Sequence, residues 1–142
     1  MAEFNNLGEY LKNKFKDHKN IRFMGGIYNL EHLNNLRCFS KLYFHGHSVG
    51  GTNPSLLEAM ASKGLIAAHN NDFNRGVLKD NAFYFSNPKE VKELLLTVKK
   101  NDNLHFIENN FNAIVNQFNW DKINGEYLQL FEECMVMGKR RS

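Results

Sequence analysis

The stretch that decides the fold is KLYFHGHSVGGTNPSLLEAMASKGLIAAHN, residues Lys41 to Asn70. KLYFHG (Lys41–Gly46) reads as a strand, and LIAAHN (Leu65–Asn70) reads as another. Between them, Ser55 to Lys63 carries apolar residues at helical spacing, with Asn53 placed to cap, Pro54 at the first helical position and Gly64 at the stop. Strand, helix, strand within thirty residues is the signature of a parallel crossover.

Working outward, the same alternation continues. Leu7, Tyr10, Leu11, Lys14 and Phe15 predict a first helix to about Asp17, and IRFMGG (Ile21–Gly26) predicts a short buried strand ending in glycines. Asn29 is placed to cap a helix bearing Leu30, Leu33 and Leu36. Downstream, NAFYFS (Asn81–Ser86) reads as a fourth strand, and Asn87-Pro88-Lys89-Glu90 as a helix start. That helix carries Val91, Leu94, Leu95 and Val98. Two more follow, one with Phe106, Phe111, Ile114 and Phe118, the last from about Asp121 with Ile123, Tyr127 and Phe131. The expectation is an α/β fold: a Rossmann-like parallel sheet of about four strands with helices on both faces. All 142 residues form one domain in this reading.

Composition excludes several classes. Hydrophobic residues make up 42% of the chain and aromatics 13%, enough for a packed core and too much for disorder. A net charge of +3, scattered except for Lys139-Arg140-Arg141, gives no nucleic-acid footprint, and the basic end reads as a solvated tail. Cys38 and Cys134 sit far apart in apolar surroundings, which predicts two buried thiols in a reducing compartment. No apolar run approaches the ~20 residues of a membrane span, and the first residues lack the features of a signal peptide. The expected location is cytoplasmic.

The loop His45-Gly46-His47-Ser48-Val49-Gly50-Gly51-Thr52 leads from a strand into a helix, where ligands of open parallel sheets bind. Free N–H groups and the dipole of the following helix favour an anion, and Gly50 and Gly51 let the backbone approach it. Thr52 and Ser48 add hydroxyl donors. Glu58 stands four residues after Pro54 on a mostly apolar helix, which turns its carboxylate to the same mouth, where it can accept from sugar hydroxyls. A phosphate at the glycines and a ribose at the acid together suit a nucleotide. The H-x-H pair lacks a third Cys, His or acid nearby, so no metal is expected. A tight turn with no ligand, and a Glu58 that simply faces solvent, remain open at this point.

SVGGTNPSLLEAMASKGLIAA (Ser48–Ala68) resembles the signature of family-four retaining glycosyltransferases of the two-lobed GT-B fold, in their C-terminal, donor-binding lobe. The loop is most similar to that of bacterial rhamnosyltransferases of polysaccharide assembly. The resemblance runs from IRFMGGI (Ile21–Ile27) to FNWDKINGEYLQLF (Phe118–Phe131). It implies that Glu58 is the acid that holds the donor's ribose, that Gly51, Thr52 and Asn53 meet the diphosphate and sugar, and that Gly25, Gly26 and Ile27 lie near the base. Gly50 falls where the family places its first acid, with seven residues between it and Glu58, so sugar recognition departs from the pattern; His47 or Thr52 is the substitute. Arg75, in the loop after LIAAHN, is a looser phosphate candidate.

The resemblance further implies a parent enzyme that transfers a sugar, rhamnose foremost, from a nucleotide diphosphate sugar to a glycan acceptor with retention, with no cofactor. A lipid-linked acceptor would bring the parent to the cytoplasmic membrane face. The acceptor-binding N-terminal lobe and the opening strands of the C-terminal lobe have no counterpart upstream of Glu9. The expectation is therefore a truncated C-terminal domain, inactive alone, whose open sheet edge invites a homodimer. A non-catalytic nucleotide- or phosphate-binding module and a pure interaction domain are the competing readings.

Overall fold

The computed structural model describes residues 3–139, with side chains over 7–136. Arg140 and Arg141 of the basic tail lie outside the described residues. The chain divides into two compact units, 1–30 and 31–142.

The first unit holds α1 (Glu3–Phe15) and an irregular segment up to the start of α2 (Leu30–Phe39). Here the sequence expectation is corrected: Ile21–Gly26 is neither paired as a strand nor buried, and Ile21, Phe23 and Met24 are exposed. Gly25 has φ +66°, a left-handed value that takes the backbone out of the β region and ends any strand there. Apolar composition alone suggested a strand, but a strand also needs a partner edge.

The second unit alternates as the sequence implies. After α2 come β1 (Tyr43–His45), α3 (Pro54–Ala61), β2 (Ile66–His69), α4 (Asp72–Leu78), β3 (Phe83–Phe85) and α5 (Pro88–Thr97). A 3-10 turn (Lys100–Asn103), α6 (Leu104–Gln117) and α7 (Trp120–Lys139) complete it. Among the described residues the sheet has three strands, all parallel, in the order β1-β2-β3, not the expected four. Register pairs Tyr43 with Ile66 and His45 with Ala68 on one side, and Ala68 with Tyr84 on the other.

Strand alternation and the core assign the faces. Tyr43, Ile66, Ala68 and Tyr84 meet Leu56, Ala59 and Met60 of α3, Leu78 of α4, and Ile114 of α6 with Phe118 beyond it. Leu42, Leu65 and Phe83 turn the other way, against Leu94 of α5, Val98, and Phe106 and Ile107 of α6. Helices thus cover both faces of a partial Rossmann-like sheet. Leu56, Met60 and Ile66 are fully buried, each contributing about 1.5–3 kcal/mol by transfer from water, so truncating Met60 or Ile66 to Ala is the change that would open this core.

Local chemistry sets the ends of α3. Asn53 is extended (φ −90°, ψ 125°) and its Oδ1 accepts from the Ser55 N–H at 3.0 Å. At the other end the left-handed residue is Lys63 (φ +57°), not Gly64. Gly64 is required for a different reason: a Cβ there would stand 3.2 Å from the Ala59 carbonyl oxygen and 3.3 Å from that of Arg37. The α5 cap matches its sequence signal, with Asn87 Oδ1 accepting from Lys89 and Glu90 N–H. The thiol expectation fails in part: Cys38 is half-buried and Cys134 is exposed on α7.

Candidate functional site

The loop from Gly46 to Thr52 emerges at the carboxyl end of β1 and is exposed throughout. Gly50 adopts φ +107°, which L side chains rarely take. Nothing stands within 4 Å of where a Cβ would sit on Gly46, Gly50 or Gly51, so packing does not demand these glycines. They leave open space at the entrance to α3.

The donors at that entrance differ from expectation. Pro54 has no N–H, Asn53 Oδ1 takes that of Ser55, and the Asn53 carbonyl takes those of Leu56 and Leu57. The first turn of α3 is therefore satisfied from within, because an N-cap asparagine does for its own helix what a phosphate would do. What faces outward is the dipole and the backbone N–H groups of Gly50, Gly51 and Thr52, which have no partner among the described residues.

The loop is anchored at one point. The His47 carbonyl accepts from Asn71 Nδ2 at 3.0 Å and from Asn74 Nδ2 at 3.2 Å, and Asn74 also donates to the His69 carbonyl at 2.8 Å. Asn74 is buried, and Asn71 caps α4 through the Asn74 N–H. The β1–α3 and β2–α4 connections are thereby tied together at the strand ends. Neither asparagine was singled out from the sequence, although Asn70-Asn71-Asp72 directly after a strand is a cap signal that could have been read.

Glu58 is held by a partner that sequence reading missed. Its Oε2 accepts from Arg37 Nη2 at 2.8 Å, pairing a half-exposed acid (49%) with a side chain of α2 that is 6% exposed. Arg37 also donates from Nη1 to Asn34 Oδ1 and lies 5.9 Å from the Tyr43 ring centroid. Nothing in the helical pattern of LEHLNNLRCF announces that this arginine turns inward. The acid is thus neither buried nor simply solvent-facing. Its charge is matched, and a carboxylate has acceptor sites beyond the one Arg37 uses.

Arg75 stands on α4, not in a loop as expected. Its Nε donates to Asn70 Oδ1 at 2.6 Å, and its guanidinium lies over the Tyr84 ring, 4.2 Å from the centroid. Tyr84 Oη donates to the Lys79 carbonyl, and burial pushes the phenol above its ordinary range. Gly25, Gly26 and Ile27 belong to the first unit, in its irregular segment. The concave cleft of about 200 Å³ between α4 and α6, lined by Asn81, Asn109, Asn110 and Asn116 among others, lies away from the loop.

Beneath the loop sits His45, 1% exposed, with neither ring nitrogen hydrogen-bonded among the described residues. The exposed His47 ring stacks on it, centroids 4.6 Å apart and planes 22° apart. Burial, and after it the neighbouring His47, lower the His45 pKa from its ordinary value. His69 points to the opposite face, edge-on to Phe85, with a buried Nδ1 that also lacks a partner. Among the described residues no three His, Cys, Asp or Glu side chains converge as a metal site, and no helix is long and apolar enough to cross a membrane.

No model of a known protein family matches the chain. Over 108 residues the chain is 33% identical to an uncharacterized glycosyltransferase of Methanocaldococcus jannaschii, a match that takes in 68% of this chain and 26% of that protein. The chain spans about a quarter of the length of the curated relative it matches. The similarity supports a glycosyltransferase relationship for a partial Rossmann-like domain.

Proposed function

We propose that residues 31–142 form the donor-binding half of a glycosyltransferase, with the diphosphate of a nucleotide sugar lodged on the loop Gly50–Thr52. The observation that carries this reading is the set of unengaged N–H groups at Gly50, Gly51 and Thr52 in an exposed loop, open around its glycines, at the carboxyl end of a parallel strand. Successive N–H groups in such a turn form an anion-binding concavity, and the α3 dipole adds to it. Charge that grows on the leaving diphosphate is stabilised by the same donors, which is the electrostatic share of transfer this lobe would supply.

Glu58 takes the ribose hydroxyls on the acceptor sites that Arg37 leaves, and Arg37 fixes the carboxylate's position. Thr52 and His47 flank the sugar. Arg75 contributes positive potential from α4 while stacked on Tyr84. In the whole enzyme, a second lobe of GT-B type would bind the acceptor, transfer would proceed with retention, and a deoxythymidine diphosphate sugar such as rhamnose is the first donor to try, uridine and guanosine donors next. An acceptor carried on a lipid would place that enzyme at the cytoplasmic membrane face. Pairing through an outer strand, β1 or β3, is a route to a homodimer.

One observation favours a second reading, a nucleotide-binding module without turnover. Gly50 stands where the family pattern has an acid, so the sugar lacks that contact. The test has two stages. Calorimetric titration of the 142-residue protein with uridine, deoxythymidine and guanosine diphosphates should give saturable binding that Gly51→Val abolishes; no binding to any of them refutes the donor site. Sugar transfer by the same domain joined to an acceptor lobe would then exclude the non-catalytic module.

A further inference from the structure

We propose that His45 is a sugar-contacting residue of this loop, covered by the His47 ring until a nucleotide sugar displaces that ring. The inference rests on the donor-site reading above and adds to it the group that reads the transferred sugar's hydroxyls.

A buried polar group without a partner is uncommon, and one with two unpartnered nitrogens needs an explanation. His45 is 1% exposed and both of its ring nitrogens are unpaired among the described residues. It is the last residue of β1, and register with Ala68 puts it on the α3 face, directly before the loop that enters α3. Burial holds the imidazole neutral at neutral pH. A neutral imidazole offers one N–H and one lone pair, on opposite sides of the ring. A phosphate oxygen satisfies the N–H alone. Hydroxyls satisfy either nitrogen, because each can donate or accept, so a sugar hydroxyl on one exposed nitrogen is the matching chemistry.

Access requires little movement. One face of the ring is covered by the side chain of His47, stacked at 4.6 Å and itself exposed. The His47 backbone is fixed by Asn71 and Asn74, so a rotation about its side-chain bonds frees that face of His45 while the loop stays in place. Gly46, Gly50 and Gly51 leave space in the same loop. Gly50 is also the position without the acid of the family pattern, and a neutral histidine from the strand below is a substitute of different charge.

The experiment compares His45→Phe, which keeps a flat ring for stacking, with His45→Gln, which keeps a donor and an acceptor. Each is titrated, as the 142-residue protein, with uridine, deoxythymidine and guanosine diphosphates and with their glucose conjugates. His45→Phe should weaken the sugar conjugates about tenfold, the worth of one or two neutral hydrogen bonds, and leave the sugarless diphosphates within about twofold. His45→Gln should restore most of the loss; a packing role would be restored by Phe and not by Gln. Equal affinity of wild type and His45→Phe for the conjugates overturns the inference while the donor site stands. Binding of none of the six ligands overturns both.

Should His45→Phe fail to fold, the wild-type imidazole nitrogen resonances decide. His45 signals should move on adding a sugar conjugate and hold still with the sugarless diphosphate. Signals that respond equally to both, or to neither, refute the contact.

Discussion

Replacing Glu58 by Ala should destabilise the domain before any question of ligand arises. Arg37 is 6% exposed on its side chain and its Nη2 donates to Glu58 Oε2 at 2.8 Å. Removing one partner of a fully buried pair costs roughly 3–5 kcal/mol, and of an exposed pair up to about 1 kcal/mol. This pair joins a buried cation to a half-exposed anion, so about 2 kcal/mol is the expected loss. Asn34 on Nη1 softens it, while an unpartnered Nε adds to it. For a chain of this length that corresponds to a drop in Tm of about 6–8 °C. Thermal unfolding of Glu58→Ala, Arg37→Met and the double variant measures the coupling directly, and a cycle coupling of about 1–2 kcal/mol is expected. A Tm change under about 1 °C for Glu58→Ala, or strictly additive single effects, refutes the buried-cation reasoning. The consequence for function is practical: weaker nucleotide binding by Glu58→Ala counts as a lost ribose contact only at temperatures where the variant is folded.

Three other outcomes follow from the same contacts. Asn74→Ala should cost about 2 kcal/mol by leaving the His47 and His69 carbonyls short of a donor, and hydrogen exchange should report faster opening of the β1–α3 loop. Asn87→Ala removes the cap that accepts from Lys89 and Glu90 and should lower stability by about 1 kcal/mol, read by urea unfolding. The third concerns pH: because the folded pKa of His45 is depressed, the unfolded chain binds the proton first as pH falls below its ordinary value of 6.5. Stability should therefore be full above that value and be lost progressively toward acid; His45→Phe should flatten this part of the profile, and an unchanged slope refutes the assignment.

Much of the second unit was legible because its signals are local. Asn53-Pro54 and Asn87-Pro88 cap and start helices through contacts two or three residues away, and Leu65–Ala68 advertises burial by composition. Ile21–Gly26 misled for the complementary reason. Its apolar residues look like a strand, but pairing is a property of a neighbouring edge and of backbone angles, and Gly25 at φ +66° removes the latter. At the site, the glycines and Asn53 were visible in the sequence, while the roles of Arg37 and Asn74 and the burial of His45 were not. Each of the three acts across 21 to 27 residues or through a stack, as in the Arg37–Glu58 and Asn74–His47 bonds.

The N-cap illustrates how the two levels correct each other. Sequence logic places an anion on the free donors of α3, yet the same asparagine that makes the helix start predictable consumes those donors. A good capping residue and a naked anion site are competing uses of one set of N–H groups. In the proposed reading the contest moves the anion upstream to Gly50–Thr52, where space is open around the glycines and the N–H groups have no partner among the described residues. Substitutions there should separate the roles: Asn53→Ala loosens the helix and frees donors at once, weakening stability while leaving diphosphate binding intact, whereas Gly51→Val leaves the helix capped and closes the space an anion needs. If both variants lost binding in proportion to stability, the loop would be a turn and nothing more.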